Sequence, residues 1–132
     1  MGSRLKEPES KIQSAIMEWG GWQRGVQMFR INVIGVPLKD PVTGERRGFR
    51  KSSNAGMADI HLTVMVEGIP VSAWLEVKSA KGTQNENQLG FERMVTSFGS
   101  HYYIVRSIYD VQEVVFQLRS TTWEKIKSCV PF

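Results

Sequence analysis

Apolar residues recur at helical spacing near the start of the chain, where Ile12, Ala15, Ile16 and Trp19 fall on one stripe. That spacing predicts an amphipathic helix with one buried face. Pro8 suits a first helical position, Glu7 and Glu9 suit the positive end of the helix dipole, and Gly20-Gly21 predicts the stop. The period then shortens. Val26–Asn32 reads as a strand, and Ala58–Val66 and Val71–Lys78 alternate as two strands joined by a short turn at Glu67–Pro70. Helical spacing returns at Phe91, Met94, Val95 and Phe98. Thr83-Gln84-Asn85-Glu86 ahead of them fits a capping box with Thr83 as N-cap, and Gly99 predicts the end. Tyr102–Val105 reads as a short strand. Asp110 predicts a cap for a helix to about Leu118, with a further helical piece to about Ser128.

Between the first two strands, Gly35–Gly56 shows little periodicity and holds two prolines and four glycines. It reads as a long loop, of the kind that is either functional or disordered. The element order is therefore α-β-(loop)-β-β-α-β-α. A hairpin followed by a helical crossover to another strand predicts an α/β fold, a mixed β-sheet flanked by helices. The 132 residues fit one domain, with its core at about 8–118 and a C-terminal extension over 119–132.

Strand side chains alternate faces. Ile60, Leu62, Val64 and Val66, with Val71, Ala73, Leu75 and Val77, predict one buried face for the hairpin. The other face then carries Asp59, His61, Thr63 and Met65 beside Ser72, Trp74, Glu76 and Lys78. A turn centred on Gly68-Ile69 pairs Val66 with Val71, sets His61 opposite Glu76 and Asp59 opposite Lys78, and makes the two acids diagonal neighbours roughly 7–8 Å apart. A slip of two residues keeps the faces and leaves the acids close.

Charge and composition sharpen the picture. The net charge is +4 and the hydrophobic fraction 41%, so a packed core and a polyanionic partner are both expected. The single cysteine, Cys129, excludes an internal disulfide and a cysteine-rich zinc site, and suits a reducing cytoplasm. No apolar run reaches the ~20 residues of a membrane span, and no signal peptide is visible.

Two adjacent carboxylates with open positions suit Mg²⁺, a hard ion that takes oxygen ligands and keeps water. Asp59 and Glu76 are the candidate ligands, and Lys78 on the same face is placed to orient a water or neutralise developing charge. The same Glu-X-Lys pattern also describes a solvated strand face with a weak surface pair. Gln88 lies one turn inside the capped helix and faces inward, either toward a metal-bound water or simply as a polar residue near a helix start. Glu9 lies along the buried stripe of the first helix, either as a site acid or as a first-turn acid favoured by the dipole. The two histidines are poor evidence for zinc: His61 reads as a neutral residue facing Glu76, and His101 has no identifiable partner. Lys39, Arg46, Arg47, Arg50 and Lys51 make the long loop basic and suit it to phosphate contact with little sequence preference.

Gly56-Met57-Ala58-Asp59-Ile60, Glu76-Val77-Lys78, Gly82 and Gln88, with Glu9 and Arg30-Ile31-Asn32 upstream, resemble the virus-type replication-repair nuclease domain (VRR-NUC) of the PD-(D/E)XK superfamily. The resemblance runs from about Glu9 to Val111. It departs at Ala58, where that family usually carries proline. The resemblance implies a restriction-endonuclease-like core and a Mg²⁺-dependent endonuclease, Mn²⁺ being a substitute, that cuts branched DNA such as four-way junctions. It further implies a homodimer of the kind found among small bacteriophage members. On that resemblance, Asp59, Glu76, the Val77 carbonyl and Glu9 hold metal, and Lys78 assists the attacking water. Gln88 and Glu9 complete the catalytic set, and Arg30 and Asn32 join the DNA-binding residues. A restriction-type or DNA-end nuclease on the same fold, a non-catalytic DNA-binding module and a structural protein are the competing readings.

Overall fold

The first helix forms where its stripe predicts. α1 (Glu9–Trp22) buries Ile12 and Ile16 completely or nearly so. It runs past the glycine pair expected to end it. Gly20 is buried inside the helix, because a Cβ there would meet the Met28 sulfur at 2.5 Å. The glycine thus permits close helix–strand approach, and Gln23 is the C-cap. The computed structural model describes residues 8–31, 36–50 and 55–121, with the backbone alone described at 36–39 and 46–50. The predicted helical piece after Leu118 and toward Ser128 lies mostly outside the described residues.

β1 (Val26–Arg30), β4 (Ile60–Val66), β5 (Ile69–Val77) and β6 (His101–Val105) form one mixed sheet in the order β1-β4-β5-β6. The first two pairings are antiparallel, and β5 runs parallel to β6 across the crossover helix α2 (Glu86–Ser97). α3 (Ile108–Arg119) follows β6. The predicted α/β class and mixed sheet with flanking helices are what the chain adopts.

The two sheet faces are covered differently. α1 and α3 close one face, where Ile60, Leu62, Val64, Ala73, Leu75 and Val77 meet Ile16, Val111, Val115 and Leu118. The opposite face carries α2 and a smaller cluster of Ala58, Phe91 and Val95, backed by Met57, Trp74 and Tyr102. Met94 and Phe98, expected on the buried stripe of α2, are 51% and 86% exposed. One face of α2 covers only a narrow part of the sheet, so two of the four apolar positions stay outside.

Three local expectations are corrected. The segment read as a loop contains β2 (Val36–Lys39) and β3 (Arg46–Arg50), paired with each other as a separate two-stranded sheet. Turn chemistry closes this hairpin: Asp40 Oδ1 accepts the Val42 and Thr43 N–H groups at 2.8 and 3.2 Å, and Gly44 takes a positive φ of 73°. Asx turns of this kind need no apolar alternation. The N-cap of α2 is Asn85, not Thr83, with Gln88 as the reciprocal partner of the box. The N-cap of α3 is Ser107, and Asp110 sits in its first turn.

The β4–β5 register is also two residues away from the expected one. Val66 pairs with Ile69, so the loop is the two-residue turn Glu67-Gly68. Both central residues have positive φ, 50° and 81°, as in a type I′ turn whose twist matches a hairpin. His61 therefore lies opposite Trp74, and continuing the ladder sets Asp59 across from Glu76. The faces are unchanged, because a slip of two preserves alternation.

Gly90 sits in the middle of α2, where glycine costs about 1 kcal/mol relative to alanine. Among the described residues a Cβ there would meet nothing within 4 Å, so packing against them does not demand it. Gly56 differs: its φ is +92°, and a Cβ would collide with the Asn87 carbonyl. The chain thus enters β4 pressed against the first turn of α2.

A candidate carboxylate–lysine site at one end of the sheet

The C-terminal ends of the parallel strands β5 and β6 mark one end of the sheet, the usual ligand edge of open α/β sheets. Asp59 reaches it from just before β4. Its carbonyl accepts the Ile31 N–H at 2.7 Å, and its Oδ2 accepts the Val77 N–H at 2.8 Å. The side chain is thereby tied to the backbone beside Glu76.

Glu76 is 1% exposed. Its Oε1 accepts the Gln88 side-chain amide at 2.8 Å and lies 3.6 Å from Lys78 Nζ. Its Oε2 is buried and finds no hydrogen-bond partner among the described residues. Burial pushes the Glu76 carboxyl up to about 8, the nearby Asp59 adds to the rise, and Lys78 opposes it. A buried carboxylate oxygen without a donor needs a proton or a cation.

Lys78 is 7% exposed and donates from Nζ to Gln88 Oε1 at 2.9 Å. Gln88 therefore joins three things at once. Its Oε1 also accepts the Asn85 N–H at 2.9 Å, closing the capping box, while its amide nitrogen holds Glu76. This explains why Asn85 rather than Thr83 caps the helix: only that start points Gln88 at the strand.

Asp59, Glu76, Lys78 and Gln88 are thus brought together. Glu9 approaches from the α1 side. It is exposed, and its Oε1 accepts the Ser79 N–H at 3.4 Å. Among the described residues no group of three or more His, Cys, Asp or Glu side chains is gathered for a metal ion. The Glu9 side chain, from the start of α1, bonds to the turn after Lys78, while Asp59 and Glu76 form the acidic pair. Two carboxylates with backbone oxygens nearby still fit Mg²⁺, which takes few protein ligands and keeps several waters. The orphaned Oε2 and the crowded, proton-holding Glu76 are the features a cation would relieve.

Arg106 was not anticipated. Its guanidinium Nη1 donates to the carbonyls of Ser79 and Gly82, the latter at 2.9 Å. It clamps the turn that leads from Lys78 to the cap of α2. Only its place immediately after the last apolar strand residue hints at this in the sequence. Tyr102 is a second such residue. Its hydroxyl accepts the Gln84 amide at 3.0 Å, and burial, then Glu76, raises its pKa.

Arg30 is exposed and pairs across from Ile60, on the sheet face opposite Glu76. The backbone of Lys39, Arg46, Arg47 and Arg50 lies in the β2–β3 hairpin, while Asn32 and Lys51 lie outside the described residues. His61 packs against Trp74 with ring centroids 4.6 Å apart, and His101 stacks on Tyr103. His61 thus faces Trp74 and not Glu76.

Among the described residues no helix is long and apolar enough to cross a membrane. Compared with known proteins, the chain matches no family model, no curated protein and no solved structure.

Proposed function

We propose that this chain is a Mg²⁺-dependent endodeoxyribonuclease, acting on branched DNA such as four-way junctions and working as a homodimer. The observation that carries the reading is the buried Oε2 of Glu76, beside Asp59 and without a hydrogen-bond partner among the described residues, with the Lys78 ammonium 3.6 Å from the same carboxylate. The resemblance of the motifs to VRR-NUC domains, with the restriction-endonuclease-like core it implies, points the same way.

In this reading Asp59 and Glu76, with the Val77 carbonyl, hold the ion. When bound, Mg²⁺ supplies Lewis-acid stabilisation of phosphate charge and lowers the pKa of its water. The chain's own residues do the rest. The Val77 N–H fixes the Asp59 carboxylate. Gln88 and Glu76 fix the Lys78 ammonium, whose charge favours the extra negative charge of the transition state over the ground state. α2 and α3 both begin at this end of the sheet, directly after the turns that follow β5 and β6. Their positive dipole ends favour a phosphate there. The basic β2–β3 segment supplies contacts to the backbone of DNA, and Arg30, exposed on the other sheet face, would meet DNA only beyond the site.

The test is cleavage of labelled four-way junctions, flaps, blunt duplex and single strands in Mg²⁺ or Mn²⁺. Wild type is expected to cut junctions, and Asp59→Ala and Glu76→Ala to lose roughly a hundredfold or more while still folding and binding DNA. Wild type that cuts none of these, or variants that cut equally well, would sink the reading and leave a non-catalytic DNA-binding module ahead. Sedimentation of the free protein checks the dimer.

A further inference from the structure

We infer that the groove between α2 and the β4–β5 hairpin is a subsite for one unstacked nucleobase of the DNA substrate, and that Gly90 keeps it open. The inference rests on the nuclease reading and extends it to how substrate is recognised.

The groove has a volume of about 470 Å³, within the range of sites that enclose a small planar ligand. Trp74 and Phe91 form its aromatic side, with ring centroids 5.2 Å apart and planes perpendicular. Met57 and Met94 give polarisable apolar walls. Asn87 lies on the rim and is exposed, where an amide can pair with a base edge.

Two observations choose the occupant. The first is position. Trp74 stands two residues before Glu76 on the same face of β5, and Asn87 directly precedes Gln88. A base in the groove would therefore belong to a nucleotide next to the phosphate at the carboxylate site. The chain's net charge of +4 suits that polyanion. The second is Gly90. Glycine inside a helix lowers its stability by about 1 kcal/mol relative to alanine, and Gly90 is an exposed position on the wall of the groove. Among the described residues nothing lies within 4 Å of where its Cβ would be, so a side chain added at Gly90 would occupy groove space that is open in the structure. Aromatic faces stack any base without sequence preference, and branched or bulged DNA presents unstacked bases more readily than paired duplex does.

Gly90→Leu tests this, because it fills the groove while improving helix propensity, so loss of fold does not confuse the result. Binding is read by anisotropy in EDTA, where no cleavage occurs, on a duplex with one unpaired 2-aminopurine and on the fully paired duplex. Wild type is expected to prefer the unpaired base by roughly tenfold and to quench its fluorescence. Gly90→Leu is expected to lose both the preference and the quenching, keep its affinity for paired duplex, and melt no lower than wild type. Unchanged preference and quenching in Gly90→Leu overturns the subsite, whatever the cleavage assay shows. A change in self-association instead of DNA binding overturns it in favour of a second copy as occupant. If wild type binds neither DNA, the nuclease reading and the subsite fall together.

Discussion

The two faces of the sheet use the same strands for opposite ends. Toward α1 and α3, every inward residue of β4 is apolar and almost wholly buried. Toward α2, a small cluster around Phe91 shares the face with Glu76 and Lys78, which are only 1% and 7% exposed. A face of aliphatic side chains gains stability from area alone. A face that buries a carboxylate and an ammonium costs stability unless both are fully paired. Glu76 Oε2 is not. The second face is therefore built at the expense of stability, the usual mark of a site and not of a scaffold.

Substitutions on each face sharpen that contrast. Leu62→Ala, at the centre of the first face, is expected to cost roughly 3–4 kcal/mol in urea unfolding, at any pH. If it proves neutral, that face is not the main core.

The second face is expected to respond to pH. Glu76 titrates near 4.5 in the unfolded chain and at about 8 in the folded one. Between those values the unfolded state releases a proton that the folded state keeps, so stability falls as pH rises through this window and levels off above it. For the metal-free protein the loss is expected to be on the order of 5 kcal/mol. Glu76→Gln should abolish the fall, and added Mg²⁺ should shrink it in wild type. A flat wild-type profile would mean that the oxygen is solvated or partnered after all.

The smallest effect separates two caps. Asn85→Ala is expected to cost about 1 kcal/mol and to loosen Gln88 from Lys78, whereas Thr83→Ala should be neutral. Equal losses would show that both starts of α2 are populated.

Much of the fold was legible from local rules. Alternation across Ile60–Val66 and Val71–Val77 marks the buried face whatever the turn does, because apolar residues every second position have one way to leave water. The stripe of α1 is legible for the same reason, and the stop at Gly99 because glycine takes the positive φ of 86° that ends the helix. The hairpin β2–β3 was not, since neither of its strands carries an alternating apolar set. Its signal was the turn chemistry of Asp40 and Gly44. The candidate acids, Lys78 and Gln88 were found because the hairpin's polar face and one helix turn converge on them. Arg106 was missed because it acts by holding backbone carbonyls 24 and 27 positions away.

The sequence by itself determined which residues face inward on each strand, and hence that Asp59, Glu76 and Lys78 share one face. Hydrophobic period is a local property and survives any even slip. Only the tertiary structure decided the register and the start of α2. The choice between the two turns depended on backbone twist across Glu67-Gly68. The choice between Thr83 and Asn85 depended on Lys78 and Glu76, 10 and 12 residues before Gln88. Local capping rules weigh both starts alike, and the long-range hydrogen bonds to one of them break the tie.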